Sequence, residues 1–111
     1  MILVQWSCEV PQQKRERFIS FAEKKLKSFY ESYGALRYEL FFPMNTEKKY
    51  FTYHATENEN MYTEQLLFET FKDFEKLYDT IEEVEEAQNM VGKYVKEFGI
   101  SNCNFKILKQ Y

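Results

Sequence analysis

The chain has 111 residues, 44% of them hydrophobic, and a formal charge of −3; that length suits one domain with a real core, and the acidic balance argues against a broad nucleic-acid-binding surface. Two cysteines are too few for a disulfide scaffold, and no apolar run approaches the roughly 18 residues of a membrane span, so the expectation is a single domain over 1–111, cytoplasmic and free of the membrane. Aromatics make up 19% of the chain, eleven Phe and nine Tyr among them, more than two helices on one sheet need in a monomer, which points to an interface or a pocket.

Residues 2–10 alternate apolar and polar (Ile2, Val4, Trp6, Cys8, Val10), the period of a strand with one buried face. That alternation begins at residue 2, so no leader peptide is expected. Pro11 follows where a helix can start, because its fixed φ and missing N–H suit a first helical turn. Residues 18–33 then change to helical spacing (Phe18, Phe21, Ala22, Leu26, Phe29, Tyr33), and Gly34 ends the helix. A second strand is expected over 36–42, carrying Leu36, Tyr38, Leu40 and Phe42 on one side.

Residues 43–61 are the least legible. Pro43, Asn45 and Thr46 read as one turn and Asn58-Glu59-Asn60 as another, with Tyr50-Phe51-Thr52-Tyr53-His54 between them. That segment fits either a hairpin extending the second strand or a flap over a pocket. Strand character returns over 62–69. Thr70 and Asp73 then stand as an N-cap and its reciprocal partner, so a helix is expected from near Phe71. Its apolar positions are Phe74, Leu77, Ile81, Val84, Val91, Val95 and Phe98, with an acidic cluster at 82–86 that would mark a bend, and Gly99 closes it. Phe105 and Ile107 sit on a final strand.

The order strand, helix, two strands, helix, strand predicts a ferredoxin-like α+β fold, βαββαβ, with an antiparallel sheet. One row of that sheet would be nearly all apolar: Ile2, Val4, Trp6, Cys8, Leu36, Tyr38, Leu40, Phe42, Leu66, Phe68, Phe105 and Ile107. The other mixes charge with large apolar groups (Leu3, Gln5, Ser7, Glu9, Arg37, Glu39, Phe41, Gln65, Leu67, Glu69), which suits cover by a second copy, with Arg37 and Glu39 satisfied across the interface. The first helix is basic outside (Lys14, Arg15, Arg17, Lys24, Lys25, Lys27) and the second acidic (Asp79, Glu82, Glu83, Glu85, Glu86), an arrangement that draws neighbouring helices together. In this strand order Cys8 and Cys103 fall on adjacent antiparallel strands, where they could approach each other; ordinary buried thiols are the plainer reading.

Gly34-Ala35-Leu36-Arg37-Tyr38-Glu39-Leu40 and Leu67-Phe68-Glu69-Thr70-Phe71-Lys72-Asp73 together resemble the antibiotic-biosynthesis-monooxygenase family of dimeric α/β barrels. In that family the second strand often follows a Gly with a Leu-x-Tyr-x-Leu-like run, and the third ends in Glu-x-Trp before a helix. The resemblance implies a homodimer with facing sheets, a pocket between sheet and helices in each protomer, and oxidation of a phenol or quinol by dioxygen without metal or flavin cofactor. Such chemistry needs a dry apolar pocket, a group to deprotonate or orient a phenol, and donors for the developing oxyanion. Trp6, Tyr38, Phe68, Phe71 and Tyr78 are the candidate substrate-binding walls; Tyr38, His54 and Tyr78 are the candidate catalytic groups. Phe71 replaces the family's Trp and loses an indole donor. Residues 74–98 hold no histidine, and Gln5 points away from the helices, which disfavours the haem-degrading branch. No zinc spacing, GxGxxG, P-loop or nucleophile elbow competes. The alternative is a non-catalytic protein of the same fold that binds a small apolar ligand or serves as an interaction module.

Overall fold

The computed structural model describes residues 1–111. Its elements in chain order are β1 (Ile2–Glu9), α1 (Arg15–Phe21), α2 (Lys27–Ser32), β2 (Arg37–Phe41), β3 (Met61–Phe68), α3 (Phe71–Glu83), α4 (Glu85–Phe98) and β4 (Ser101–Lys109). The four strands form one antiparallel sheet in the order β2-β3-β1-β4. This is the ferredoxin-like arrangement that the apolar pattern predicts, with the helices on one face of the sheet. No helix is long and apolar enough to cross a membrane.

α1 and α2 are halves of one continuous helix joined by a π-helical turn over Ala22–Leu26. The sequence explains the turn. Phe18, Ala22, Leu26 and Tyr30 are its buried residues, four apart each time; on an ideal helix each such step gains about 40°, which would leave Phe18 and Tyr30 about 120° out of line. A wider turn in the middle brings them back toward one face. Tyr30 rather than Phe29 therefore takes the inner position, and Phe29 packs half-buried beside it.

Thr70 caps α3 as expected: its hydroxyl accepts from the Asp73 N–H (3.3 Å) while the Asp73 carboxylate accepts from the Thr70 N–H (3.2 Å). The acidic cluster does mark a break, at Val84, whose extended backbone (φ −97°, ψ 118°) separates α3 from α4. Freed from α3, α4 turns a different stripe inward. Ala87, Tyr94 and Phe98 are buried, whereas Val95 is 40% exposed: Phe98 is inside as expected, Val91 is half-buried, and Tyr94 takes the inner place expected of Val95. Gly99, in the left-handed region at φ 63°, ends α4.

The core lies between the sheet and the helices. Val4, Tyr62, Leu66 and Phe68 from the sheet meet Phe18, Leu26, Phe74, Leu77 and Phe98 from the helices, and full burial of a Leu or Phe side chain contributes roughly 1.5–3 kcal/mol. Two expectations need correction. Phe105 and Ile107 share the apolar row but are 42% and 43% exposed, because β4 is an edge strand that the helices do not fully cover. Leu36 precedes β2 and is 49% exposed; only its N–H joins the ladder, donating to the Leu67 carbonyl at 2.7 Å.

The opposite face carries no helix. Leu3, Arg37, Glu39, Gln65, Leu67 and Leu108 line an open groove of about 490 Å³ on it. Arg37 and Glu39 are satisfied within the strand, at 2.8 Å from each other, rather than needing a second copy. This is the chain's only ion pair, so no salt bridge joins the basic first helix to the acidic second one.

Between β2 and β3 no hairpin forms. Instead, the Asn45 side chain holds the loop shut from inside: its Nδ2 donates to the Glu57 carbonyl and its Oδ1 accepts from the Glu57 N–H, both at 2.9 Å.

Candidate active site

The one charged side chain in the core is Glu64, 2% exposed. It follows from the register of β3: Tyr62, Glu64, Leu66 and Phe68 share the inner side, and Glu64 faces Trp6 on β1 and Leu40 on β2. Burying a carboxylate is costly unless its oxygens are hydrogen-bonded. Here the Tyr38 hydroxyl of β2 donates to Oε2 at 2.7 Å and the Tyr94 hydroxyl of α4 donates to Oε1 at 2.9 Å. Tyr62 extends the network by a hydrogen bond to the Tyr94 hydroxyl.

Burial dominates the balance. It pushes the Glu64 carboxyl up to about 6 against the lowering effect of the two tyrosine bonds, which puts a proton acceptor near neutrality inside the core. Burial and the negative charge of Glu64 raise the Tyr38, Tyr62 and Tyr94 phenols well above their ordinary value, so all three stay protonated.

Glu64 lies at the wall of a cavity of about 250 Å³ between sheet and helices. β1 contributes Trp6 and Cys8, α2 Tyr30, α3 Tyr78 and Ile81, and α4 Val91, Tyr94 and Val95; Ile100 and Cys103 complete it. Except for the carboxylate, the thiols, the phenol hydroxyls and the Trp6 indole N–H, the lining is hydrocarbon. The volume is below the roughly 300–1,000 Å³ typical of drug-sized ligands, so it suits one small ring system. The arrangement can take a proton from a bound hydroxyl. No three His, Cys, Asp or Glu side chains converge to hold a metal ion.

No protein-family model matches the sequence, and no curated protein matches it. Solved structures match it in shape. A protein assigned as an antibiotic biosynthesis monooxygenase from Deinococcus radiodurans has a TM-score of 0.69 at 4% identity, over 100% of this chain and 93% of that one. A variant of SnoaB, a cofactor-independent oxygenase from Streptomyces nogalater, has a TM-score of 0.65 at 11% identity, over 98% and 91%. The fold is that of the antibiotic-biosynthesis-monooxygenase proteins. A NIPSNAP-like domain protein from Burkholderia xenovorans shares it too, with a TM-score of 0.67 at 14% identity, over 99% and 84%.

Within this fold the candidate residues fall in four places. Trp6 and Tyr78 line the cavity. Tyr78 is 52% exposed, at the rim, and the adjacent Glu82 carboxylate raises its phenol. Tyr38 lies behind the cavity, its ring stacked on Tyr30 at 5.6 Å and its hydroxyl on Glu64. Phe68 is wholly buried and packs edge-on against Phe74, while Phe71 is 46% exposed and packs tilted against the same Phe74 ring; neither reaches the cavity. His54 belongs to the 43–61 loop, where its Nδ1 accepts from the Tyr50 N–H at 3.2 Å and its ring borders a separate open groove.

Glu64 and Tyr94 are the residues that sequence pattern overlooked. The signal for Glu64 was available in its parity with Leu66 and Phe68 within the expected strand over 62–69. Tyr94 became legible only with the break at Val84, which sets the rotation of α4.

Proposed function

We propose that the chain is a cofactor-independent monooxygenase acting on a small phenol or quinol, with Glu64 as the base. The observation that carries this reading is a single carboxylate, raised to about 6, set in an otherwise apolar cavity sized for one small ring system. A base of that strength is largely ionised at neutral pH and still takes a proton readily. Glu64 removes the phenol proton; the electron-rich ring carbon gives up an electron to dioxygen, and the radical pair combines to form a C–O bond. The resulting peroxide takes the proton back from Glu64. Loss of the ring C–H proton and cleavage of the O–O bond then leave a quinone and one water, so one oxygen atom enters the substrate and the other is reduced. Trp6 and Tyr78 flank the ring, and Tyr94 and Tyr38 hold the carboxylate in place.

Oxygen uptake with hydroquinones, anthrones and simple phenols, in chelator and without flavin, tests this. Uptake that scales with protein and is lost in Glu64→Gln supports it. Binding of the same compounds without uptake favours the non-catalytic alternative.

The same reading includes a homodimer in which two copies cover each other's open sheet face, as the apolar groups Leu3, Leu67 and Leu108 around that groove favour. Light scattering at micromolar concentration should give twice the mass of the chain, and Leu67→Asp should return it to the monomer; a wild-type monomer would remove this part.

A further inference from the structure

The register between β1 and β4 is regular from Ile2↔Lys109 to Ser7↔Asn104, then slips so that Glu9 faces Ser101. One residue of β1, Cys8, is therefore opposed by two of β4, Asn102 and Cys103, a β-bulge. Asn102 adopts the left-handed region at φ 51°, which Asn tolerates better than most side chains. Its amide Nδ2 donates to Glu9 Oε1 at 2.7 Å, and Asn58 Nδ2 holds the other oxygen of Glu9 at 3.2 Å. The bulge is thus fixed from both sides, and it leaves Cys103 beside Cys8 with both side chains lining the Glu64 cavity.

Both thiols are free. The bulge removes the regular pairing here, but neighbouring strands run about 4.7–4.9 Å apart, which is within the Cα span of a disulfide. Their environments differ. Cys8 is 3% exposed, and burial together with Cys103 raises its thiol far above the ordinary value, whereas Cys103 is on the surface of an edge strand. A thiol that solvent reaches beside one that it does not is the arrangement of an attacking and a resolving cysteine.

We propose that Cys8 and Cys103 are a reversible disulfide site whose oxidant is a hydroperoxide. The Cys103 sulfur, as thiolate, attacks one oxygen of hydrogen peroxide; the O–O bond breaks, hydroxide leaves and is protonated to water, and Cys103 becomes a sulfenic acid. The Cys8 sulfur then attacks the Cys103 sulfur, its proton leaves with the departing hydroxide as a second water, and the S–S bond forms. Two thiols and one peroxide give one disulfide and two waters; a dithiol reductant reverses the step. The product ties the edge strand β4 to β1 at the cavity wall. This site stands whether or not the cavity turns over a phenol.

The test uses the whole reduced chain, treated with one equivalent of hydrogen peroxide, unfolded in N-ethylmaleimide and weighed intact. The expected result is a monomer lighter by about 2 Da with no maleimide label, a linked peptide pair containing Cys8 and Cys103 after digestion, and recovery of both labels with dithiothreitol. Cys103→Ser, a change at an exposed position, should abolish the loss and leave Cys8 fully labelled. Two labels retained on the wild-type chain, a gain of about 16 or 32 Da at Cys103, or links only between chains would overturn the proposal.

Discussion

Toward β3 the helix-covered face of the sheet is closed, with Tyr62, Leu66 and Phe68 wholly buried and the Phe18 ring packed among Tyr62, Tyr94 and Phe98 at 4.5–5.8 Å. Toward β4 the same face is loose: Phe105 and Ile107 are nearly half exposed, and a cavity of about 250 Å³ opens. Glu64 stands on the boundary, its oxygens held by Tyr38 from the closed side and by Tyr94 from α4. The difference shows what the aromatic surplus does. One half uses large rings to fix the position of a carboxylate, and the other leaves room for something to meet it.

Mutations on the two sides should therefore differ in kind. Phe18→Ala should cost about 3–5 kcal/mol in urea unfolding, the range for a truncated buried aromatic, while Phe105→Ala on the loose side should cost about 1 kcal/mol or less; equal costs would erase the contrast. At the boundary, Glu64→Gln should lower oxygen uptake with an active phenol at least about a hundredfold, equivalent to about 2.7 kcal/mol of transition-state stabilisation.

The same carboxyl gives a pH signature. Its folded value of about 6 lies above the ordinary value of 4.5, so the folded state holds the proton more tightly than the unfolded one. That stability is fully present below about pH 4.5 and is lost as the pH rises through 6, a change of about 2 kcal/mol. Urea midpoints across pH 4–8 should show this step in the wild type relative to Glu64→Gln; parallel curves would mean that Glu64 is not buried as described. The smallest effect is expected from Val91→Phe, which fills cavity space: stability should change by about 1 kcal/mol or less, and affinity for a small aromatic ligand should fall.

Most of the fold could be read from the sequence because the strands alternate plainly and the Thr70–Asp73 capping box fixes where α3 starts. The site was less legible, for physical reasons. A glutamate in an inward register looks like an error in the apolar pattern unless its partners are known, and those partners, Tyr38 and Tyr94, are 26 and 30 residues away. The inner stripe of α4 depended on a backbone break at Val84 that periodicity located only to within a few residues. His54 attracts notice as the chain's single histidine, yet its loop is organised by the Asn45 clasp on Glu57 and holds it in its own groove, away from the cavity.

The π-helical turn at Ala22–Leu26 also bears on how this chain can vary in length. A π turn is one residue longer than the α-helical turn it replaces, so this helix can lose a residue there and become regular. Phe18 and Tyr30 would then be eleven positions apart, only about 20° out of line on an ideal helix. Removing the exposed Glu23 should therefore keep both ends of the helix seated on the sheet. A one-residue deletion in the middle of a core-packed helix, ordinarily among the most disruptive changes, has here a place where it is absorbed, and homologues one residue shorter at this point would be expected to keep the same inner face.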